Sequence, residues 1–76
     1  MINSYILIQT EPGASDDVAE RAADVQGVVS SDVVISGPYD VIIHALAENI
    51  DVLGNAVARD IYQISGLTRV IVLVMK

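Results

Sequence analysis

The stretch Val33-Val-Ile-Ser-Gly-Pro-Tyr-Asp-Val-Ile-Ile-His-Ala-Leu46 admits few folds. Two runs rich in β-branched residues flank Gly37-Pro38-Tyr39-Asp40, and that order reads as a β-hairpin: strand, four-residue turn, strand. Pro38 presets φ for the second position of a type I or II turn, and Gly37 tolerates torsions that a Cβ resists. The Asp40 carboxylate can accept hydrogen bonds from turn amides or close the turn. The tip gathers polar and aromatic groups in an otherwise apolar segment, so a site is expected near it.

Hairpin strands need partners, and the rest of the chain supplies them. Ile2 to Thr10 reads as a first strand, stopped by Glu11-Pro12-Gly13. From Ser15 to about Val25 the pattern is helical. Ser15 or Asp16 is the expected cap, and Asp16, Asp17 and Glu20 sit at the positive end of the helix dipole. Val18, Ala22 and Val25 share one face of it. Gln26-Gly27 ends the helix, and the second strand is expected over Val28 to Ser36, the third over Val41 to Ala47. A second helix follows from about Ile50 to Ile64, capped by Asn49, with Ile50, Leu53, Val57, Ile61 and Ile64 as its apolar stripe. Ser65-Gly66 ends it, and Leu67 to Met75 forms the last strand. The order βαββαβ predicts an α+β, ferredoxin-like sandwich: one domain over residues 1–76, a four-stranded antiparallel sheet with two helices on one face.

Such a sheet should be polar on its free face. Here Val41, Ile43, Ala45 and Ala47 point one way in the third strand, and Ile42, His44 and Leu46 the other; in the fourth, Val70, Val72 and Val74 oppose Ile71, Leu73 and Met75. Both faces are apolar, so something must cover the second. A chain of 76 residues, 53% of them hydrophobic, hides that much apolar surface poorly within one copy. A second copy is the simplest cover, and a homo-oligomer paired through sheet faces is the expectation.

Charge narrows the partners. The net charge is −6, and Arg21, Arg59, Arg69 and Lys76 are scattered, so no basic stripe exists to neutralise phosphates and direct binding of nucleic acid is not expected. Without cysteine there is no disulfide or thiolate site, which suits a reducing compartment. With no basic leader and no apolar run of membrane-spanning length, a cytoplasmic protein is expected, without contact to membranes. No motif for a metal or cofactor stands out: Asp16, Asp17, Glu20 and Asp24 lack the alternation and glycine of a calcium loop and read as a solvated helix face.

At these spacings the sequence resembles the effector-binding and assembly (RAM) domain of the leucine-responsive/asparagine (Lrp/AsnC) transcription regulators. The resemblance runs the whole length: an opening strand ending in Glu11-Pro12-Gly13, a helix leading to Gly27-Val28-Val29, the Ser36-Gly-Pro-Tyr-Asp-Val41 turn, and a helix after Asn49 ending in Ile64-Ser65-Gly66-Leu67. It implies dimers packed through their sheets, often assembled into octamer- or decamer-like rings. It also implies an amino-acid effector between neighbouring dimers, near Gly37, Tyr39 and Asp40. Two departures stand out. The chain starts at the first strand, so it looks like a stand-alone form without the helix-turn-helix half, and Val70-Ile71-Val72 stands where the family often has Thr-x-Thr.

Each of these residues also has a plainer reading. Asp40 serves equally as a turn-capping or an effector-site residue; Tyr39 covers an oligomer contact with its ring; Gly37 is a backbone requirement first. Arg69 either meets an effector carboxylate or keeps a sheet edge from aggregating. His44 reads as a packed, hydrogen-bonded interface residue rather than a titrating one. Catalysis has little support: no cysteine nucleophile, no serine–histidine pattern, no phosphate-cradling loop. The expectation is a non-enzymatic, amino-acid-sensing oligomer in transcriptional control of amino-acid metabolism. The alternatives are a ligand-independent module that co-assembles with a full-length Lrp/AsnC-type regulator and, by fold analogy alone, a small dimeric enzyme.

Overall fold

A computed structural model describes residues 1–76. The elements are β1 (Ile2–Thr10), α1 (Ser15–Ala23), β2 (Val28–Val33), β3 (Val41–Ala47), α2 (residues 50–62) and β4 (Leu67–Val74). The strands form one antiparallel sheet in the order β2-β3-β1-β4, with β1 and β3 in the centre. This is the ferredoxin-like arrangement that the order of elements implies.

One sheet face carries the helices. Ile6 and Ile8 of β1, and Val41, Ile43 and Ala45 of β3, are wholly buried there against Val18 and Ala22 of α1 and Leu53, Val57 and Ile61 of α2. The alternation read from β3 holds residue by residue, since Val41, Ile43, Ala45 and Ala47 are buried and the residues between them half-buried. Ser4 is the one buried polar residue in the core, and its hydroxyl donates to the Ala45 carbonyl at 3.0 Å. That bond removes the desolvation penalty that a bare hydroxyl would carry there.

α2 starts as drawn from the sequence: Asn49 Oδ1 accepts from the Val52 amide at 2.9 Å, an N-cap. Its middle, Leu53–Ala58, is π-helical, and α-geometry resumes over Arg59–Tyr62. Gly54 and Asn55 are weak helix formers, so this stretch yields easily. The wider turn brings residues four apart closer to one face, and Leu53, Val57 and Ile61 all reach the core. Ile50, at the first turn, is instead more than half exposed.

Other details depart from the sequence reading. α1 begins with Ala14 at the cap position and no side-chain cap; Ser15 Oγ instead hydrogen-bonds Thr10 Oγ1 at 3.0 Å. The hairpin turn is longer than four residues, because β2 stops at Val33 and residues 34–40 form the loop. β2 is an edge strand, bulged between Val28 and Ser30, and only β3 of the hairpin is central.

The free face is built by Tyr5 and Leu7 of β1, Ile42, His44 and Leu46 of β3, and Ile71 and Leu73 of β4, as the pairings Tyr5–His44, Tyr5–Leu73, Leu7–Ile42 and Leu7–Ile71 require. At its centre the Tyr5 and His44 rings stack with centroids 4.9 Å apart, and His44 Nε2 is hydrogen-bonded to Asn3 Oδ1. His44 is thus packed and hydrogen-bonded. No element of the chain covers this face.

Candidate functional site

The β2–β3 loop is tethered to the end of β1. Its base closes with the Val34 amide donating to the Asp40 carbonyl at 2.8 Å, and the Asp40 amide donating to Ile8 O at 2.8 Å. The Asp40 carboxylate then accepts from the Thr10 amide at 2.8 Å. Beyond Ile8 the β1–β3 pairing has ended, so Thr10 N–H has no partner from β3; Asp40 supplies the missing acceptor. The Gln9 side-chain amide donates to Pro38 O at 2.7 Å and ties down the loop's far limb. Asp40 therefore bonds a strand end thirty residues away in sequence and not the amides of its own turn.

Gly37 has φ of +94°, and a Cβ there would meet nothing within 4 Å, so the turn demands the glycine and leaves its backbone open to approach. Tyr39 is half-buried beside it. Arg69 comes from β4, paired with Gln9 of β1. Gln9 thus stands between Arg69 on one side and the loop on the other, and all four expected site residues share one end of the sheet. Arg69 is exposed and makes no ion pair, whereas Arg21 pairs with Asp17 and Arg59 with Asp60. A free guanidinium in a chain of net charge −6 is suited to a carboxylate.

Within one chain this end of the sheet is open. A groove of about 290 Å³ between Tyr62 and the start of β4 reaches Arg69, but it does not extend to Gly37, Tyr39 or Asp40. A larger cleft, about 460 Å³, lies at the opposite end of β3, lined in part by Gly27, Leu46, Val52 and Val57. No group of three or more His, Cys, Asp or Glu side chains is arranged to hold a metal ion. Val70 and Val72 pack against the helix-side core, with Ile71 on the free face. Hydroxyls at 70 and 72 would therefore point into the core side, so their absence takes nothing from the free face. Gln9 and Thr10, which organise the loop, carry no sequence signal, because their partners are distant in the chain and strand register alone brings them together.

Comparison with known proteins follows the same lines. A family model described as the Lrp/AsnC ligand binding domain matches residues 3–75. No curated protein matches the chain. Among solved structures, TTHA0845 from Thermus thermophilus superposes with a TM-score of 0.89 at 22% identity, covering 100% of this chain and 94% of that one. FFRP-DM1 gives 0.89 at 21% identity, with both chains fully covered (100% and 100%). The E. coli AsnC structure gives 0.86 at 16% identity over 97% of this chain and 50% of its own. At these identities the superpositions speak for the fold. No helix is long and apolar enough to cross a membrane.

Proposed function

Because the chain belongs to the family of Lrp/AsnC ligand-binding domains, we propose that it is an amino-acid-sensing and oligomerisation module of cytoplasmic transcriptional control. Two copies pair through the free sheet face, and the effector binds where another dimer closes over the β2–β3 loop. The observation that supports this reading is that Gln9, whose backbone pairs with the unpaired Arg69, also donates its side-chain amide to Pro38 of the loop carrying Gly37, Tyr39 and Asp40, so these residues lie at the same end of the sheet. Arg69 would take the effector's carboxylate, the open backbone at Gly37 would admit the ligand, and Tyr39 would cover it. Asp40 holds the loop in place through Thr10. The openness of this end in a single chain supports a site completed by a neighbouring copy. No catalytic role follows from this arrangement, and we read the protein as a non-enzyme.

The test is a thermal-shift series against the individual amino acids, repeated on Arg69→Gln and Tyr39→Ala. A ligand at about a hundred times its dissociation constant adds roughly 2.7 kcal/mol to the stability of the folded state. For a domain of this size that is a melting shift of roughly ten to twenty degrees, lost in Arg69→Gln. Flat curves with every amino acid would reject the sensor. They would favour a ligand-independent module co-assembling with a full-length regulator, a reading that the prior commitment of the Asp40 carboxylate to Thr10 also favours.

A further inference from the structure

His44 holds the middle of the free sheet face. It is the central residue of β3 and pairs with Tyr5 on the other central strand, with β2 and β4 outside them. Around it the face is apolar: Ile42 and Leu46 along β3, Leu7 on β1, Ile71 and Leu73 on β4. A leucine or valine would suit this setting, yet the one histidine of the chain stands here. Its ring is held from two directions, stacked on Tyr5 and hydrogen-bonded through Nε2 to Asn3 Oδ1.

In a single copy both contacts serve either charge state. With Asn3 Oδ1 as the acceptor, Nε2 carries a hydrogen in the neutral and the protonated ring alike, and the Tyr5 ring favours a neighbouring cation. The half-buried imidazole also remains within reach of water. A second sheet laid on this face removes that water. When two such sheets overlap fully, their centres face each other about 10 Å apart, so the Tyr5–His44 stack of one copy meets the same stack of the other. Two imidazolium rings would then confront each other in a desolvated apolar layer, whereas two neutral rings carry no such penalty.

The other charged groups lie away from this centre. The β2 residue opposite His44 is Ser30; Asp32, opposite Ile42 on the same edge strand, is exposed and makes no ion pair with the imidazole. Arg69 is opposite Gln9, four residues along β1 from Tyr5. The Met1 amine, Glu48 and Lys76 flank one end of the strands, Glu11 and Asp40 the other. The remaining charges lie on or beside the helices, across the sheet.

We infer that His44 makes sheet pairing pH-sensitive: the pair forms with both imidazoles neutral and opens as they take up protons. The switch presupposes the sheet pairing proposed above and goes beyond the effector site, since no ligand takes part. A free copy accepts the proton in water and the pair excludes it, so proton uptake accompanies dissociation and association weakens as pH falls. Histidine is the side-chain type that changes charge between pH 8 and 5. Full exclusion of one imidazolium weakens pairing about tenfold between pH 7.5 and 5.5, and exclusion of two about a hundredfold.

Sedimentation equilibrium of the intact chain at both pH values and constant salt reads the dimer dissociation constant, with circular dichroism following the fold. The expected result is a rise of at least tenfold at pH 5.5. In His44→Gln, and in His44→Phe, which keeps a ring on Tyr5, the constant should change less than threefold. A wild-type constant that stays level or falls overturns the switch and leaves the pairing standing; a fall would mean that carboxylates such as Asp32 meet the imidazolium across the interface. A rise that persists in both variants overturns it too, because another group would then be titrating. So does loss of the helical signal in step with dissociation, which would make unfolding the event that responds. A monomer at pH 7.5 overturns the pairing and the switch with it.

Discussion

Replacing Asp40 tests whether the loop is held by a strand-end bond or by turn chemistry of its own. In the wild type its carboxylate accepts from Thr10 N–H at 2.8 Å in a half-buried setting. A hydrogen bond to a charged group contributes about 1.5–3 kcal/mol when its partner is left unsatisfied. Thr10 is only half-buried, so water recovers part of this, and Asp40→Ala should cost about 1–2 kcal/mol. Asp40→Asn keeps an oxygen acceptor of the same reach and should cost about half as much. In a domain of this length 1 kcal/mol moves the melting temperature by roughly 4–8 °C. Asp40→Ala should therefore melt about 4–16 °C lower, measured calorimetrically at one fixed protein concentration because association also contributes. The Thr10 amide should lose its hydrogen-exchange protection in the same variant. An Asp40→Ala shift below 2 °C, or protection at Thr10 that survives, would refute the tether. Equal losses for Ala and Asn would show that the charge, and not the acceptor position, matters.

Two further substitutions probe the fold and the free face. Gly27→Ala should destabilise the protein far more than Gly37→Ala: both need positive φ, but only at Gly27 would the new Cβ press on backbone at 2.9 Å, and chemical unfolding would expose the contrast. Leu73→Ala on the free face should weaken the sheet-paired dimer: with 43% of Leu73 exposed in one copy, about 1 kcal/mol per copy is at stake. That is roughly thirtyfold in the dimer dissociation constant, readable by sedimentation; an unchanged constant would place the interface elsewhere.

The fold was legible because its signals are local and repeat. β3 alternates without a break, Asn49 caps α2 where an asparagine before an apolar stripe should, and Leu53, Val57 and Ile61 reach the core as their spacing requires. The misread details all turn on contacts between distant segments. Nothing near Ser15 in sequence says that its hydroxyl will meet Thr10 instead of capping α1. The end of β2 at Val33 depends on Asp40 bonding β1, which is a matter of register. The π-turn of α2 is a compromise between weak helix formers at Gly54 and Asn55 and the demand that Leu53 and Val57 share a face. For the site, the loop residues were readable as a cluster because they are contiguous. That Arg69 lies at the same end of the sheet, paired with Gln9, is visible only once β1 is placed between β3 and β4.

The proposed sheet pairing would bring together two chains that each carry a net charge of −6, and the geometry decides how much that opposes it. Asp16, Asp17, Glu20, Asp24, Asp51 and Asp60 lie on or beside the helices, on the side away from the free face. Across a face-to-face dimer these groups are separated by three layer spacings of about 10 Å each, roughly 30 Å in all. The Debye length is about 8 Å at 0.15 M salt and about 30 Å at 0.01 M. At physiological ionic strength the helix-layer repulsion is therefore screened away, and apolar contact among Tyr5, Leu7, Ile42 and Leu73 decides the affinity. At 0.01 M it is not screened, and every acidic group on one copy opposes the other. The dimer should thus weaken as salt falls from 0.15 to about 0.01 M, with little change between 0.15 and 0.5 M. Sedimentation equilibrium across that series reads the effect. Tighter association at low salt would mean that opposite charges meet at the interface, and Asp32, paired with Ile42, and Arg69, paired with Gln9, are the groups on the free face able to do so.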